Sequence, residues 1–367
     1  MTYHIFNPEH DIALASNLTN FTAPHAGRQL RHDLGFLPVL WASEGDGILA
    51  DDAELARKSI GKLSARLPHA SRARLHAFQD SVYTINQAAR KDSLSFIEPW
   101  GWDAALKSLL LRHGISPSSL PTDETLSTIR QLSHRQLAAS LLPQLRVDGT
   151  VGQSFFCTDM ASVSSLLQSH GRLVLKAPWS SSGRGLRFLH ATQAPASSQE
   201  GWIKNVVAAQ GAVMAEPYYN KVKDFGMEFC TDGAGHTTYL GLSLFHTMNG
   251  AYTGNVLATE NWKQNQLSAF LPAELTHFVE SAICEQTARL FRDKYKGPFG
   301  VDMMVVARDD ADGFLLHPCV EINLRRTMGH AALSLTHLFN PTSDDDVTGV
   351  MRIKYEDNNY KLILQKL

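Results

Sequence analysis

A lysine placed inside an apolar run restricts the fold of this chain more than any other sequence feature. Lys176 lies in the run Leu173–Ala177, which predicts a β-strand, and a loop rich in serine and glycine follows at once. A buried ammonium group is unfavourable unless an anion neutralises it. The loop adds hydroxyl groups and the convergent backbone N–H groups that bind polyphosphate, and its candidate residues are Ser181, Ser182, Gly183 and Gly185. The alternative is an exposed edge lysine before a flexible hairpin.

A second pattern places two carboxylates and an amide on neighbouring strands. Asp302 lies in one apolar run and Glu321 and Asn323 lie in the next, with a turn rich in Asp and Gly at 309–313 between them. If the runs form a hairpin, Asp302 lies nearly opposite 319–321, and Glu321 and Asn323 share a face. Oxygen ligands of this kind suit Mg²⁺ that also holds phosphate. The alternative is a set of strand-end residues that face water.

A third pattern is an apolar strand, 212–216, that leads into a polar hinge. The carbonyl of Pro217 can accept a hydrogen bond and the N–H of Tyr219 can donate one, as adenine recognition requires. Glu216 precedes this pair, and Asp224 lies eight residues beyond Glu216. Taken alone, the pattern is common in strands that bind no ligand.

The order of these motifs along the chain resembles that of the ATP-grasp superfamily, specifically its carboxylate–amine ligases. The resemblance covers roughly 120–330, and the segment before it is similar to the pre-ATP-grasp domain of such enzymes. It implies a fold of mixed α/β and α+β class, in which two α+β lobes clamp ATP after a small α/β domain. The chain would then divide into a pre-ATP-grasp-like domain (1–118), a helical linker with the lid lobe (119–217), and a C-terminal lobe with the metal site (218–367).

The resemblance also implies binding residues. Lys176 would contact the α- and β-phosphates, the loop would cover the β- and γ-phosphates, and Asp224 would contact the ribose. Arg135 stands where the family usually has a lysine, just after Ser133 at an expected helix start. The complete set implied to bind ATP is Arg135, Lys176, Ser181, Ser182, Gly183, Gly185, Glu216, Tyr219 and Asp224. The set implied to bind Mg²⁺ is Asp302, Glu321 and Asn323.

Arg325 and Lys176 are the predicted catalytic residues. Arg325 extends the metal motif to Glu-x-Asn-x-Arg, and alternation places it on the face of Glu321 and Asn323 if the strand continues. A guanidinium can bind a carboxylate through two parallel hydrogen bonds, so Arg325 is expected to hold the acceptor or the transferring phosphate. His330 and the turn 7–11 are further candidates for acceptor binding.

Apolar periodicity predicts several elements outside these motifs. Strands are expected at 3–6, 37–41 and 96–99, in a small parallel sheet with helices between the strands. Thr122 and Ser133 are expected to be the N-caps of two helices.

Composition argues against two classes of partner. Lys and Arg number 34 against 36 Asp and Glu, so the basic excess typical of proteins that bind nucleic acid or membrane surfaces is missing. The sequence has no apolar run of about 18 residues and no signal-peptide pattern at its start. The four cysteines are widely spaced, which favours buried free thiols and a cytoplasmic location.

The resemblance implies an ATP- and Mg²⁺-dependent ligase that joins a carboxylate to an amine and releases ADP and phosphate. The acceptor would be a small molecule or a peptide with a carboxylate. The alternatives are an ATP-grasp kinase and a non-catalytic nucleotide-binding regulator. The sequence leaves open the identity of acceptor and nucleophile, the oligomeric state, and the roles of the loop 246–255 and of Asn7, Glu9, His10 and Asp11.

Overall fold

The computed structural model describes residues 1–90, 96–180, 185–193, 195–248, 251–309, 312–341, 343 and 346–366. The first part of the chain, up to residue 112, contains a parallel sheet flanked by helices. Its elements are β1 (Thr2–Ile5), α1 (His10–Ser16), α2 (His25–Leu34), β2 (Gly47–Leu49), α3 (Ala53–Ser64), α4 (His69–Ala77), β3 (Val82–Tyr83), α5 (Ile85–Ala89), β4 (Phe96–Pro99) and α6 (Ala104–Arg112). The strand order is β3-β2-β1-β4 and every pair is parallel. The parallel sheet predicted for this region is therefore confirmed.

One strand predicted in this region is wrong. The run 37–41 was expected to be a strand, but Leu37–Leu40 forms a 3₁₀ helix that is buried throughout. A short run that is apolar at every position has no period, so it fits a buried strand and a buried helix equally well. Pro38 favours the helix, because its fixed φ suits a first helical turn.

Two helices follow as a linker, α7 (Asp123–Leu132) and α8 (Gln136–Leu141). Thr122 caps α7 as predicted, since its hydroxyl accepts a hydrogen bond from the N–H of Thr125 at 3.1 Å. The expectation that Ser133 caps the next helix is wrong. Ser133 ends α7, where its hydroxyl donates to the carbonyl of Ile129 at 2.8 Å, and Arg135 occupies the N-cap of α8.

The next segment forms an antiparallel sheet with two helices. Its elements are β5 (Phe155–Cys157), α9 (Met160–His170), β6 (Arg172–Lys176), β7 (Leu186–His190), α10 (Ser197–Gln210) and β8 (Val213–Pro217). The strand order is β5-β8-β6-β7. Both strands that carry predicted phosphate and hinge residues, β6 and β8, are central in this sheet and pair with each other.

The rest of the described chain forms two more antiparallel sheets. Its elements are β9 (Lys221–Thr231), β10 (Thr237–Ser243), β11 (Phe245–Met248), β12 (Ala251–Ala258), α11 (Glu260–Ser268), α12 (Ala273–Leu290), β13 (Gly297–Ala307), β14 (Phe314–Asn323), α13 (Met328–Phe339), β15 (Val347–Glu356) and β16 (Asn359–Gln365). The sheet orders are β10-β9-β13-β14 and β11-β12-β15-β16. The predicted hairpin of β13 and β14 is confirmed, with Asp302 opposite Glu321.

The hydrophobic core ties the two ends of the chain together. Buried residues of the first hundred positions, such as Phe6 and Trp100, share one cluster with Leu257, Leu335 and Met351. The loop after β1 is thereby fixed against the region that follows β14. Burial of this shared apolar surface, and not chain connectivity, is what positions the N-terminal turn near the predicted metal strand.

Two further features concern membrane-spanning helices and thiols. Across the ranges that the structure describes, no helix is long and apolar enough to cross a bilayer. All four cysteines are free, with Cys157 and Cys319 buried and Cys230 and Cys284 half-buried.

Candidate functional site

Two antiparallel sheets meet along a line that we call the cleft, and their strands carry the predicted site residues Lys176, Glu216, Asp302, Glu321 and Asn323. The sheet with β6 and β8 forms one side, and the sheet with β13 and β14 forms the other. Tyr219, just after β8, packs against His317 of β14 with ring centroids 5.5 Å apart. An isolated bridge between Thr150 and Leu316 also joins the linker to β14. The cleft is thus closed at the hinge end by direct contact.

Lys176, at the end of β6, is buried and paired with a carboxylate. Its Nζ lies 2.5 Å from Oε2 of Glu216 on β8. The register places Val174 opposite Glu216, so Lys176 and Glu216 are diagonal neighbours on one face. Ser154 donates a further hydrogen bond to Glu216 at 3.3 Å. The anion that the sequence required beside Lys176 is therefore present within the protein.

The loop after β6 closes by a tight approach of its two ends. The N–H of Ala177 donates to the carbonyl of Gly185 at 2.9 Å. A Cβ at Gly185 would lie 2.5 Å from the Cβ of Ser180, so only glycine fits there. Ser181, Ser182 and Gly183 lie outside the described residues, and their roles stay predictions.

Arg135 connects the loop to the opposite side of the cleft. One terminal nitrogen donates to the carbonyl of Ala177 at 2.9 Å and to the hydroxyl of Ser180 at 2.8 Å. The other donates to Oε2 of Glu321 at 2.7 Å. Arg135 therefore links the end of the lysine strand with a predicted metal ligand, although 186 residues separate it from Glu321 in sequence.

The three predicted metal ligands lie on one face of the sheet. Asp302 is opposite Glu321, and Gly300 is opposite Asn323. Residues that face each other across antiparallel strands, and residues two apart on one strand, point to the same side. The Asn323 amide donates to Oδ2 of Asp302 at 3.1 Å. Among the residues that the structure describes, no three His, Cys, Asp or Glu side chains form a metal cluster. Metal binding by this set would therefore require the amide oxygen of Asn323.

A third carboxylate, which the sequence analysis missed, lies on the same face. Glu228 of β9 is opposite Gly300, and a Cβ at Gly300 would lie 2.6 Å from its Oε2. Glycine at 300 therefore makes room for the Glu228 side chain beside Asp302. Burial, followed by the charges of Glu321 and Glu228, raises the pKa of Asp302 to about 7. The face holds more negative charge than its own residues neutralise.

Arg325 is held by an acidic residue from the far end of the chain. Its Nε and one terminal nitrogen donate to both carboxylate oxygens of Asp11 at 2.7 Å. A further bond of 3.0 Å reaches Oδ1 of Asn323. Burial opposes the charge of Arg325, but Asp11 outweighs it and raises the pKa. In turn, burial favours neutral Asp11, but Arg325 prevails and lowers its pKa. Both groups are thus charged.

A small cavity joins these groups. It is lined by residues of α1, the end of α7, the loop after β6, and the end of β14 with the residues that follow it, namely His10, Asp11, Leu14, Ser133, Pro178, Trp179, Ser180, Glu321, Ile322, Asn323, Leu324 and Arg325. His10 is fixed there by Asp103, whose Oδ2 lies 3.1 Å from Nδ1 of the imidazole. Part of the N-terminal turn 7–11 therefore lies beside the predicted metal ligands.

Other candidates are engaged elsewhere. Asp224 accepts hydrogen bonds from Lys221 at 2.6 Å and Thr247 at 3.2 Å, at the other end of β9 from Glu228. His330 does not line the cavity described above; its ring lies 2.9 Å from Glu228 and 3.1 Å from the carbonyl of Phe229. Arg326 leaves the face of Arg325 and pairs with Glu98 of β4 at 2.5 Å.

Sequence reasoning missed Asp11 as a partner of Arg325, and also Glu228 and His317. Glu228 and His317 each interrupt an apolar strand, which is the signal that identified Lys176. No pattern links Asp11 to Arg325, because 314 residues separate them.

Comparisons with known proteins concern the fold. The sequence matches no protein-family model and no curated protein. The biotin carboxylase domain of 2-oxoglutarate carboxylase from Hydrogenobacter thermophilus, solved with MgADP, ADP and bicarbonate, is 14% identical with a TM-score of 0.50, over 82% of this chain and 73% of that chain. N5-carboxyaminoimidazole synthetase from Staphylococcus aureus with ADP is 12% identical with a TM-score of 0.46, over 84% and 81%. N5-carboxyaminoimidazole ribonucleotide synthetase from Thermus thermophilus is 11% identical with a TM-score of 0.45, over 96% and 83%.

At these identities the likeness describes architecture and not activity. The mixed sheets, the cleft between two antiparallel sheets and the preceding parallel sheet agree with the fold class predicted from the motifs. The chain shares its fold with the biotin carboxylase domain of 2-oxoglutarate carboxylase.

Proposed function

We propose that this chain is an ATP- and Mg²⁺-dependent ligase that activates a carboxylate as an acyl phosphate for attack by an amine. The observation that carries the proposal is the pairing of two opposite walls. One wall, the lysine wall, contains the cations of Lys176 and Arg135. The other, the carboxylate wall, contains the oxygen ligands of Asp302, Glu321 and Asn323. The solved domain that shares this fold was obtained with MgADP and bicarbonate, which supports the assignment.

The carboxylate wall fits a hard divalent cation. Burial and the neighbouring carboxylates raise the pKa of Asp302 to about 7, so a cation at this face would relieve repulsion that the protein itself leaves in place. Asp302, Glu321 and Asn323 are the residues that would hold Mg²⁺. When bound, Mg²⁺ supplies positive charge to the phosphate oxygens during transfer.

The lysine wall has the charge needed to bind the phosphates of ATP. Lys176 and Arg135 are each nearly buried and each already bonded to a carboxylate, Glu216 and Glu321 respectively. These carboxylates keep the cations in place, and the same N–H groups suit charge-assisted bonds to phosphate oxygens. Glu216 and Tyr219 begin the hinge, where we place the adenine. Asp224, on the far part of β9, remains a proposed ribose contact.

The acceptor would bind beside Arg325 in the cavity next to Glu321 and Asn323. In the first step an acceptor carboxylate oxygen attacks the γ-phosphorus, the bond to the β–γ bridging oxygen breaks, and ADP leaves. In the second step an amine nitrogen attacks the acyl carbon, the bond to the phosphate oxygen breaks, and the amine proton leaves as inorganic phosphate departs. Arg325 is positioned by Asp11 to hold the acceptor or the transferring group.

A substrate screen tests the proposal. Purified full-length protein is incubated with ATP, MgCl₂ and panels of carboxylates and amines, and nucleotide products are separated. We expect ADP, not AMP, to form only when Mg²⁺ and the correct carboxylate are present. Hydroxylamine should then trap an acyl hydroxamate.

Two outcomes would replace the ligase assignment. A stable phosphorylated product that hydroxylamine leaves untouched would identify a kinase. Saturable ATP binding without turnover on any acceptor would identify a nucleotide-binding regulator.

The predicted division at 118 and 217 belongs to the proposal as well, with a small-molecule or peptide acceptor and a cytoplasmic location. Each of the first two described sheets lies within one predicted segment, and the third and fourth sheets share the last. The four free thiols support a reducing compartment.

A further inference from the structure

His317 is a buried imidazole without a hydrogen-bond partner. The residue is 1% exposed, and neither Nδ1 nor Nε2 is bonded to any group that the structure describes. A buried polar group left without a partner is energetically unfavourable. Native proteins retain few such groups, and each is a pointer to a missing partner such as a ligand.

The ring lies in the wall of the cleft and not in the hydrophobic core. His317 is opposite Met304 on β13, and a register shift separates this pair from the pair of Asp302 and Glu321. The ring contacts Tyr219 and lies close enough to Lys176 for its charge to act on the ring, so the ring is on the side of the sheet that contains β6 and β8. Its neighbour Leu316 is fully buried in the core on the other face. His317 therefore points toward the proposed nucleotide slot.

The surroundings of the ring match the hinge end of that slot. Tyr219 packs edge-on against it at 5.5 Å and 79°. A Cβ on Gly152 would lie 2.9 Å from Nε2, so a glycine backbone covers the ring where a larger residue would collide with it. Tyr219 is a planar aromatic neighbour, which suits a flat base.

The charged groups near the ring keep it neutral. Burial, followed by the positive charge of Lys176, lowers the pKa of His317 to about 3, and Arg146 acts in the same direction. Glu216 is the nearby anion, and it is bonded to Lys176. A neutral imidazole has one N–H donor and one bare nitrogen acceptor. The neutral imidazole of His317 therefore suits a hydrogen bond to a neutral base better than one to phosphate. The cations of Lys176 and Arg135 suit phosphate.

We propose that His317 hydrogen-bonds the base of the bound nucleotide through one ring nitrogen, and so determines affinity for the nucleoside part of the ligand. This inference rests on the proposed function, because it requires a nucleotide in the cleft. It adds a base contact from the floor of the slot, on the opposite sheet from Glu216 and Tyr219.

Calorimetric titration of the full-length protein with MgATP and with magnesium tripolyphosphate tests the inference. His317→Leu should weaken MgATP binding roughly 10- to 100-fold, the scale of one buried hydrogen bond. Tripolyphosphate, which has no base, should bind the variant as it binds the wild type. His317→Gln restores a donor and an acceptor and should recover most of the MgATP affinity. The exposed His277→Leu, with a side chain 77% exposed, is the matched control and should leave both affinities unchanged.

Thermal unfolding without ligand separates a binding role from a structural one. Leu removes two unpaired nitrogens from a buried site, so ligand-free His317→Leu should unfold at the same temperature as the wild type or higher. A large loss of stability, or an equal loss of MgATP and tripolyphosphate affinity, would assign His317 to packing and overturn the inference. Unchanged MgATP affinity in His317→Leu would overturn it while the proposed function stands. A wild-type protein that binds no nucleotide would refute both.

Discussion

The two walls of the cleft differ in how far their buried charges are neutralised. On the lysine wall, Lys176 and Glu216 neutralise each other at 2.5 Å, so the wall is electrically complete. On the carboxylate wall, Asp302, Glu321 and Glu228 lie on one face. Arg135 pairs with Glu321 across the cleft and the His330 ring lies 2.9 Å from Glu228, whereas Asp302 accepts a hydrogen bond from the neutral amide of Asn323. The pKa of Asp302, raised to about 7 by burial and then by these neighbours, reflects the imbalance.

This difference indicates which wall requires a bound cation. A closed ion pair stabilises a fold without any ligand, whereas crowded carboxylates are unfavourable until a cation joins them. Disrupting the carboxylate wall should therefore damage function while sparing the fold. Disrupting the lysine wall should damage both, because an unpaired charge is left buried.

The sharpest test of this contrast is Glu321→Gln. Removing one negative ligand should lower ligase turnover roughly 10³-fold, on the scale of losing a preorganised charge contact in a transition state, with little change in unfolding temperature. Steady-state ADP release across MgCl₂ concentrations, together with thermal unfolding, measures both quantities.

The matched control is the half-exposed Glu356→Gln in the terminal hairpin, which should behave as wild type. Asn323→Ala should also abolish turnover, with partial rescue by Mn²⁺. Wild-type activity in Glu321→Gln and Asn323→Ala at every magnesium concentration would remove the metal assignment.

Lys176→Ala tests the other wall. We expect MgATP binding to weaken by roughly 2–4 kcal/mol, as for the loss of other charge-assisted contacts. Because Glu216 is left buried and unpaired, the ligand-free variant should also unfold at a lower temperature. Titration calorimetry and thermal scans compare it with Lys361→Ala, a change in an exposed surface pair. Unchanged affinity for ATP would contradict the phosphate role of Lys176.

Local pattern predicted most of the fold. The hairpin of β13 and β14 followed from two apolar runs about a polar turn, and Thr122 followed from capping chemistry. The prediction of a strand at 37–41 was wrong because a segment that is apolar at every position has no hydrophobic period. The prediction of Ser133 as an N-cap was wrong because a serine at the end of a helix can bond back to the preceding turn as easily as it can cap the following helix.

The sequence provided the candidate site residues but not the contacts between them. Lys176, Asp302 and Glu321 each stand out locally as charges in apolar strands. Their partners depend on tertiary packing. The bond from Arg325 to Asp11 spans 314 positions, and the contact of Arg135 with Glu321 spans 186. Such contacts follow from the packing of distant segments in the hydrophobic clusters, which no local period encodes.

Arg325→Lys asks whether the arginine between the walls acts through its shape or only its charge. Lysine keeps the charge but cannot bond both oxygens of Asp11 or of an acceptor carboxylate. We expect acceptor turnover to fall roughly 10²-fold while MgATP affinity changes little. Acceptor kinetics and ATP titration on this variant decide the point. Equal losses in both would make Arg325 a nucleotide ligand, and no loss in either would remove it from the site.

The smallest effect concerns Asp302, and it is one of stability and pH. Its pKa is raised from 3.8 to about 7 in the folded protein, so between these values the folded state binds the proton more tightly than the unfolded state does. Unfolding free energy attributable to this group therefore falls as pH rises from about 4 to 7, and the penalty is complete above 7. Asp302→Asn cannot ionise and should escape it. Since the carboxyl is partly exposed and water screens it, we expect the ligand-free variant to exceed the wild type by about 1–2 kcal/mol at pH 8 and to match it near pH 4. Urea unfolding at both pH values measures the difference, and added MgCl₂ at pH 8 should narrow it by stabilising the wild type alone. A variant that is less stable than the wild type at pH 8 would show that the carboxylate wall is already neutralised by the protein itself, and the contrast between the two walls would disappear.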